Sequence, residues 1–554
     1  MKYFVCDFET EVNIERTYVW AYAFVGLWDD QDHVIMGTSI DSFIEEIFKP
    51  IYNNGIFFFH NLKFDGEFIL YWLLKHGFAH TTEKRLNNGE FSTLITDMGK
   101  FYILKVRYHN ITITFQDSFA IIPLSVAQMA KAFGMDISKL HIEYTDHREE
   151  GGQLTDDDKE YITYDILIVQ KGLQYFFDQN LNKITLGSDA LADFKSIITP
   201  KNFDRYFPKP AYDKDIRRSY KGGFSYVKED IAGKTIGNGI VLDVNSLYPS
   251  RMYYCELPYG EGKYFEGEYI KDEVYNLYIQ SITCIFEIKE NYLPTIQIKN
   301  SRSFANNEYL KNSNGQEVLL TLTSVDLKLF FEHYNVYNLE FHGGWKFKSS
   351  TEIFKPFIDK WMAIKIEASR TGNLGLRTLA KLMLNNLYGK FALNPKVTSK
   401  IPYLDSEKDI VRYHLADPTD REPIYIPVAT FITAHARYYT ISSAQKVYDR
   451  FCYADTDSLH LIGTDLPDLD IDDDKLGAWK LEKTFTRAKF VRQKTYIEEV
   501  NGKLEITCAG MPSTCYDQVT WGNFEKGSVY GGKLMPKHVP GGIVLVEKEF
   551  TIRA

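Results

Sequence analysis

The chain has 554 residues, 44% of them hydrophobic and 15% aromatic, enough for about three to five compact units with rings left over for stacking on bases. A net charge of −10 excludes a uniformly basic nucleic-acid binder, but not one whose acids are gathered at metal sites. The six cysteines form no CxxC pair, no apolar run approaches the ~20 residues of a membrane span, and Asp7 and Glu9 interrupt any apolar leader, so a reducing compartment and no membrane are expected.

Lys2–Cys6 predicts a strand running into Asp7-Phe8-Glu9, and alternation puts Asp7 and Glu9 on one face. Ile56–His60 predicts a second apolar strand, followed by Asn61-Leu62-Lys63-Phe64-Asp65. Tyr161 and Asp165 lie four apart in a helical stretch and point the same way. Asp7, Glu9, Asp65 and Asp165 could hold two metals, with Tyr161 orienting a water; an acid pair on one strand, taken alone, is ordinary surface.

Gly239–Val244 predicts an apolar strand carrying Asp243 near its end, with Asn245–Pro249 turning into a helix. From Leu376 to Lys390, Leu379, Leu382, Met383 and Leu387 have helical spacing, and Arg377, Lys381 and Asn385 share another face. Alone, that face is a solvated basic stripe. Beside acids it becomes a row of cations and an amide facing phosphates, with Tyr388 and Gly389 letting a base pair approach.

Tyr453–Ser458 lies between the apolar runs Phe451-Cys452 and Leu459–Ile462, which predicts two strands joined by a tight turn. Asp455 and Asp457 stand at its tip. A lone turn of this kind is a solvated Asx turn. If Asp243 meets the tip, three carboxylates surround a metal pair about 3.5–4 Å apart, suited to phosphoryl displacement. Mg²⁺ fits, because it takes oxygen ligands and leaves positions open for substrate phosphates. Beyond the acidic run Asp465–Asp474, read as a solvated loop, Trp479–Tyr496 carries Lys480, Lys483, Arg487, Lys489, Arg492 and Lys494 against Glu482 alone, with rings interleaved. That reads as a surface tracking a nucleic-acid backbone, or as a basic strand edge.

Together these segments resemble the family-B DNA polymerases. Asp243-x-x-Ser-Leu-Tyr-Pro resembles their motif A, Lys381-x-x-x-Asn385-Asn386-Leu387-Tyr388-Gly389 motif B, and Tyr453-x-Asp-Thr-Asp-Ser motif C. Tyr220-Lys221-Gly222-Gly223-Phe224, Thr433-Ala-His-Ala-Arg437 and Lys494-Thr-Tyr496 are similar to motifs of the protein-primed phage branch, in its phi29-like group. The resemblance covers essentially the whole chain. Departures are Asn386 and Phe119, where the family has Ser and Leu, and a longer segment after Lys365.

The resemblance implies a mixed α/β and α+β chain. A ribonuclease-H-like 3′–5′ exonuclease domain would span 1–185, followed by a right-hand polymerase. The palm would comprise 186–254 and 428–510, the fingers 354–393 and the thumb 511–554. Two insertions, 255–353 and 394–427, would contact the priming protein with the duplex and form a strand-displacing hairpin. It implies Mg²⁺ or Mn²⁺, two per active site, held by Asp243, Val244, Asp455 and Asp457 in one site and by Asp7, Glu9, Asp65 and Asp165 in the other. Tyr161 and Lys139 would assist the exonuclease. Tyr248, Lys365, Arg377, Lys381, Asn385 and Tyr388 would bind the nucleotide. DNA would be contacted by His60, Asn61, Phe64, Ser118, Phe119, Tyr220, Gly222, Gly223, Thr433, Arg437, Lys494 and Tyr496. Template, primer, dNTPs and a terminal protein would be the partners, the chain being a monomer or a heterodimer with that protein, in the cytoplasm of an infected bacterial host. Rival classes are a stand-alone nuclease with a DNA-binding C-terminal part, and a nucleic-acid-primed repair polymerase.

The segment Lys396–Tyr425 is crowded with charge, and Ile401–Leu404 and Ile424-Tyr425 are expected to pair as the stem of a projecting hairpin that adds little stability.

Overall fold

The computed structural model describes residues 2–135, 148–297 and 309–553. Lys139 lies outside the described residues. An eight-stranded sheet organises the N-terminal part, with Tyr3–Thr10, Gly55–Phe59 and Ile111–Asp117 parallel at its centre. The first strand runs past Cys6 and includes Asp7 and Glu9. Alternation along it decides the packing: Val5 and Phe58 face the helix Asp156–Asp178, while Phe4, Phe57 and Phe59 face the helix Leu62–Lys75. Asp156–Asp178 starts cleanly because Thr155 and Asp158 form a capping box.

A second, five-stranded antiparallel sheet has the order Trp479–Phe485, Gly239–Val244, Ser458–Ile462, Phe451–Asp455, Ser225–Val227. Apolar residues Ile240, Leu242, Leu459 and Leu461 pack against Ala436, Ile441 and Ala444 of the buried helix Ile426–Lys446, and the ends of two strands are left to carry Asp243 and Asp455. The helices Lys355–Arg370 and Leu374–Asn386 form a pair turned at Thr371-Gly372-Asn373. Gly372 takes the left-handed conformation there, and the Asn373 side chain caps the second helix by accepting from the Leu376 N–H. Between the second sheet and this pair, Leu257–Phe265, Tyr334–Ser350, Leu277–Ile288 and Val318–Thr323 form a separate four-stranded sheet.

The charged segment differs from expectation. Lys400–Asp405 pairs with Ile410–Leu415, not with Ile424-Tyr425, and Tyr425 is instead fully buried at the start of the long helix. The alternation of Ile410–Leu415 explains this, because it buries Val411 in the core of the eight-stranded sheet and seats Tyr413 beside it. Asp409 accepts from the Tyr71 hydroxyl (2.8 Å) and the Lys75 ammonium (2.9 Å) on the helix Leu62–Lys75. The hairpin is docked, not projecting.

The C-terminal hairpin Val529–Val539/Gly542–Thr551 docks on the same helix. The Thr17 N–H donates to the Pro540 carbonyl (2.9 Å), and Ile543 enters the N-terminal core. Gly541 is required at the contact: it has a φ of +97°, and a Cβ there would fall 1.7 Å from the Thr17 carbonyl oxygen. Glu67, buried within the helix, lies 3.2 Å from His538 of the hairpin. None of the described helices is long and apolar enough to cross a membrane.

Candidate active sites

The N-terminal cleft has a volume of about 550 Å³ and is lined by Asp7, Glu9, Asp65, Tyr161 and Asp165, with His60, Asn61 and Phe64 at its side. Asp7, Glu9 and Asp165 each offer an oxygen, all within 4.8 Å of one another. Asp65 completes the group: burial, then the charge of Asp7, pushes its carboxyl well above the ordinary range. Such a set is unstable as bare anions and suits hard divalent cations.

The approach to this cleft is built by Asp117. Its Oδ1 accepts from the N–H groups of Asn61 (3.0 Å), Leu62 (3.2 Å) and Phe119 (3.1 Å), which fixes the left-handed Asn61 at the helix start and the exposed Phe119 ring. His60 spans from the Ser118 hydroxyl (Nδ1, 3.0 Å) to the Leu124 carbonyl (Nε2, 2.8 Å). The Ser118 hydroxyl is buried and donates to the Phe59 carbonyl.

The second site lies on the five-stranded sheet. Thr456 adopts φ +59° so that Asp455 and Asp457 can share the turn. The turn is held by the Thr456 N–H on the Phe224 carbonyl (2.6 Å), the Thr440 hydroxyl on the Thr456 carbonyl (2.8 Å) and the Val244 N–H on the Asp457 carbonyl (2.8 Å). Gly223 has no room for a side chain, since a Cβ would lie 2.7 Å from Thr456. The sheet register puts Asp243 opposite Ser458, beside the turn. Burial, then Asp457 and Glu482, pushes Asp243 up to about 7, while Lys381 opposes the shift. Burial and Asp455 raise Asp457 as well, with Lys494 opposing. The Lys494 ammonium donates to both oxygens of Asp455, at 2.9 and 3.1 Å, and its N–H donates to the Tyr453 hydroxyl (2.9 Å).

Above this sheet stands the helix pair. Lys365 reaches within 3.5 Å of the Ser246 hydroxyl, and its pKa is lowered by burial and then by Arg377, Lys381 and Lys480. Tyr248 and Tyr388 stack with ring centroids 4.2 Å apart and form a flat floor. Acids below, cations above and a rigid aromatic step between them suit a ligand that carries both phosphates and a flat ring.

A family model described as DNA polymerase type B, organellar and viral, matches residues 47–157 and 146–476. The chain is 44% identical to the DNA polymerase of Bacillus phage phi29, with 100% of this chain and 99% of that protein covered. This chain belongs to the family-B DNA polymerases, in the phi29-like group. The polymerase is also 34% identical to that of Streptococcus phage Cp-1, covering 100% of this chain and 98% of the other. A solved phi29 DNA polymerase superposes with a TM-score of 0.94 at 43% identity, both chains covered fully. A phi29 complex with primer-template DNA and incoming nucleotides gives 0.93, again at 43% identity with full coverage. The expected fold, an exonuclease domain followed by palm, fingers and thumb, is the one observed.

Not every residue expected to meet DNA presents a group to solvent. Arg437 is buried: it grips Asp326 with Nε and Nη2, and its Nη1 donates to the Lys221 and Gly222 carbonyls (2.9 and 2.8 Å). It therefore fixes the Tyr220–Gly223 linker from inside. Thr433 is buried, with its hydroxyl bonded back along its own helix. Tyr496 is only half-buried: one face of its ring packs among Tyr453, His460 and Phe490, and the rest stays open to solvent. The basic run 479–496 is partly internal, since Lys489 and Arg492 are buried and Lys483 pairs with the buried Glu498. Asn386 folds its amide onto the Leu382 carbonyl (2.7 Å). Asp117 and Glu482 escaped sequence reasoning. Strand alternation could have found Glu482, and the position of Asp117 at a strand end next to Ser118 was a usable signal. Leu534, Val544 and Leu545 of the last hairpin line the exonuclease cleft, and no local pattern announces it.

Proposed function

We propose that the polymerase carries out template-directed DNA synthesis with 3′–5′ proofreading, starts on a terminal protein, and displaces downstream strands while copying a linear phage genome in its bacterial host. The observation that carries this reading is the pair of separate acid clefts, one facing a cation cluster and an aromatic step, the other lined by Asn61 and by His60, against which Phe119 packs. Both donor sets are hard oxygen ligands, and Asp455 already attracts the Lys494 ammonium, so both fit divalent cations. Two Mg²⁺ or Mn²⁺ would be held by Asp243, Val244, Asp455 and Asp457 in the palm, and two by Asp7, Glu9, Asp65 and Asp165 in the exonuclease domain. When bound, the cations would ease deprotonation of the attacking hydroxyl or water and neutralise the leaving oxygen.

The chain's own residues do the rest. Lys365, Lys381 and Arg377 neutralise the triphosphate. Tyr248, backed by Tyr388, lies under the sugar and leaves no space for a 2′-hydroxyl. Asn385 and Tyr388 bear on the nascent base pair. Lys494 and Tyr496 hold the primer terminus, and Tyr161 orients the hydrolytic water. The proposed boundaries are 1–185 exonuclease, 186–254 and 428–510 palm, 354–393 fingers, 511–554 thumb, and insertions at 255–353 and 394–427. Primer, template and dNTPs are the partners, with a terminal protein in a heterodimer at initiation.

A labelled primer on a longer template tests this. With Mg²⁺ and dNTPs it should lengthen to the template end, and without dNTPs it should shorten from its 3′ end. Adding a candidate terminal protein and one labelled dNTP should yield a nucleotide linked covalently to that protein. A primer that never lengthens sinks the reading, and a terminal protein that never becomes labelled removes protein priming from it.

A further inference from the structure

Lys480 belongs by sequence to the basic run expected to track DNA, yet the sheet register puts it elsewhere. The edge strand Trp479–Phe485 pairs antiparallel with Gly239–Val244, and Lys480 stands directly opposite Asp243. Opposed residues of an antiparallel pair project from the same face. Lys480 therefore rises beside Asp243 on the active face, while its neighbour Trp479 is wholly buried on the other side. Its charge is felt at Lys365, together with those of Arg377 and Lys381. Its ion pair with Asp473 is loose, at 4.0 Å, between two exposed side chains. Three like charges around the half-buried Lys365 repel it and one another unless a polyanion lies among them.

We propose that Lys480 is a fourth cation of the nucleotide site: its ammonium meets the outer phosphate oxygens of the incoming nucleoside triphosphate and then the pyrophosphate that leaves. This rests on the reading that Lys365, Lys381 and Arg377 hold the triphosphate. The bland role for a lysine here is to keep an edge strand from pairing with another chain, which requires a charge but no particular sign. The two roles separate when the sign is reversed.

The experiment compares Lys480→Glu, Lys480→Ala and Lys480→Arg with the parent, and with Lys381→Ala as a reference. Each enzyme is measured for the dNTP KM at saturating primer-template, the pyrophosphate concentration that half-saturates primer degradation by reversal, and the primer-template Kd. Lys480→Ala should raise both the dNTP KM and the pyrophosphate requirement by about three- to tenfold, as expected for one partly exposed charge on phosphate. Lys480→Glu should raise both further, and Lys480→Arg should stay within about twofold of the parent. The primer-template Kd should not move. Lys480→Glu keeps a charge on the edge, so its solubility is protected even if the alanine variant aggregates. Unchanged KM and pyrophosphate response in Lys480→Glu, with a raised KM in Lys381→Ala, overturns the inference and leaves the underlying site intact. No KM change in Lys381→Ala overturns the underlying site itself. A weakened primer-template Kd with unchanged KM makes Lys480 a DNA contact and the inference wrong.

Discussion

The two acid clefts are built on contrasting electrostatics. In the exonuclease cleft, Asp7, Glu9 and Asp165 converge within 4.8 Å, and Asp65 is driven well above the ordinary carboxyl range by burial and by Asp7. In the palm the acids sit on strand ends, Lys494 lies on Asp455, and Lys381 acts on Asp243. The first cleft concentrates negative charge and leaves neutralisation to bound cations. The second is balanced in part by its own lysines, which must be free to turn toward a triphosphate or a primer. A hydrolytic site needs only water and one strand end, whereas a synthetic site must also admit and release a polyanion.

The largest expected effect tests whether the clefts are independent. Asp455→Ala or Asp243→Ala should reduce nucleotide incorporation by about a thousandfold or more, while degradation of single-stranded DNA stays near parental. Asp7→Ala with Glu9→Ala should do the converse on a matched primer. A folded Asp455→Ala protein that loses both activities would break the comparison. Next comes the docked hairpin. Deleting 399–416 should leave extension on an open single-stranded template but stall it where a strand must be displaced, read as product length on a primed circle with a trap against rebinding. Because Val411 and Tyr413 pack on the N-terminal domain, the deletion should also lower Tm by about 2–4 °C or more. Long displaced products would reduce the segment to a surface loop.

Tyr248→Ala sharpens what the palm adds beyond charge. Removing the ring should raise ribonucleotide use relative to deoxyribonucleotide by about tenfold or more, measured as the ratio of kcat/KM values. An unchanged ratio would leave Tyr248 a packing residue. The smallest effect concerns Asp189, in the helix Leu186–Ile198 that follows the exonuclease domain. Burial pushes its carboxyl up to about 6, and its Oδ2 has no hydrogen-bond partner. A raised folded pKa means that the folded protein binds the proton more tightly than the unfolded chain. The resulting stability is fully present below about pH 4 and lost as pH rises through about 6. Asp189→Asn should therefore raise Tm at pH 8 by a few degrees and not at pH 4, checked by thermal melts at both.

Local chemistry was legible in the sequence because strand ends and helix faces carry it. Asp243, Asp455, Asp457, Asp7, Glu9 and the Arg377/Lys381/Asn385 face all follow from periods of two and of 3.6 residues. What resisted was whatever depends on distant partners. The Ile410–Leu415 strand pairs by its own alternation, yet the choice of partner was decided by the N-terminal core into which Val411 fits. Arg437 reads as a DNA-facing cation in its motif, but Asp326 and two linker carbonyls claim it. Lys480 gains its meaning only through the register opposite Asp243.

The contact between Thr17 and Gly541 has a consequence for synthesis on the ribosome. The first domain to emerge lacks one wall of its cleft, because Leu534, Val544 and Leu545 are translated only after the second sheet and the helix pair. The nascent N-terminal domain holds its four acids long before it holds a finished groove. The groove is thus finished only when the last hairpin reaches back to Thr17 and closes it.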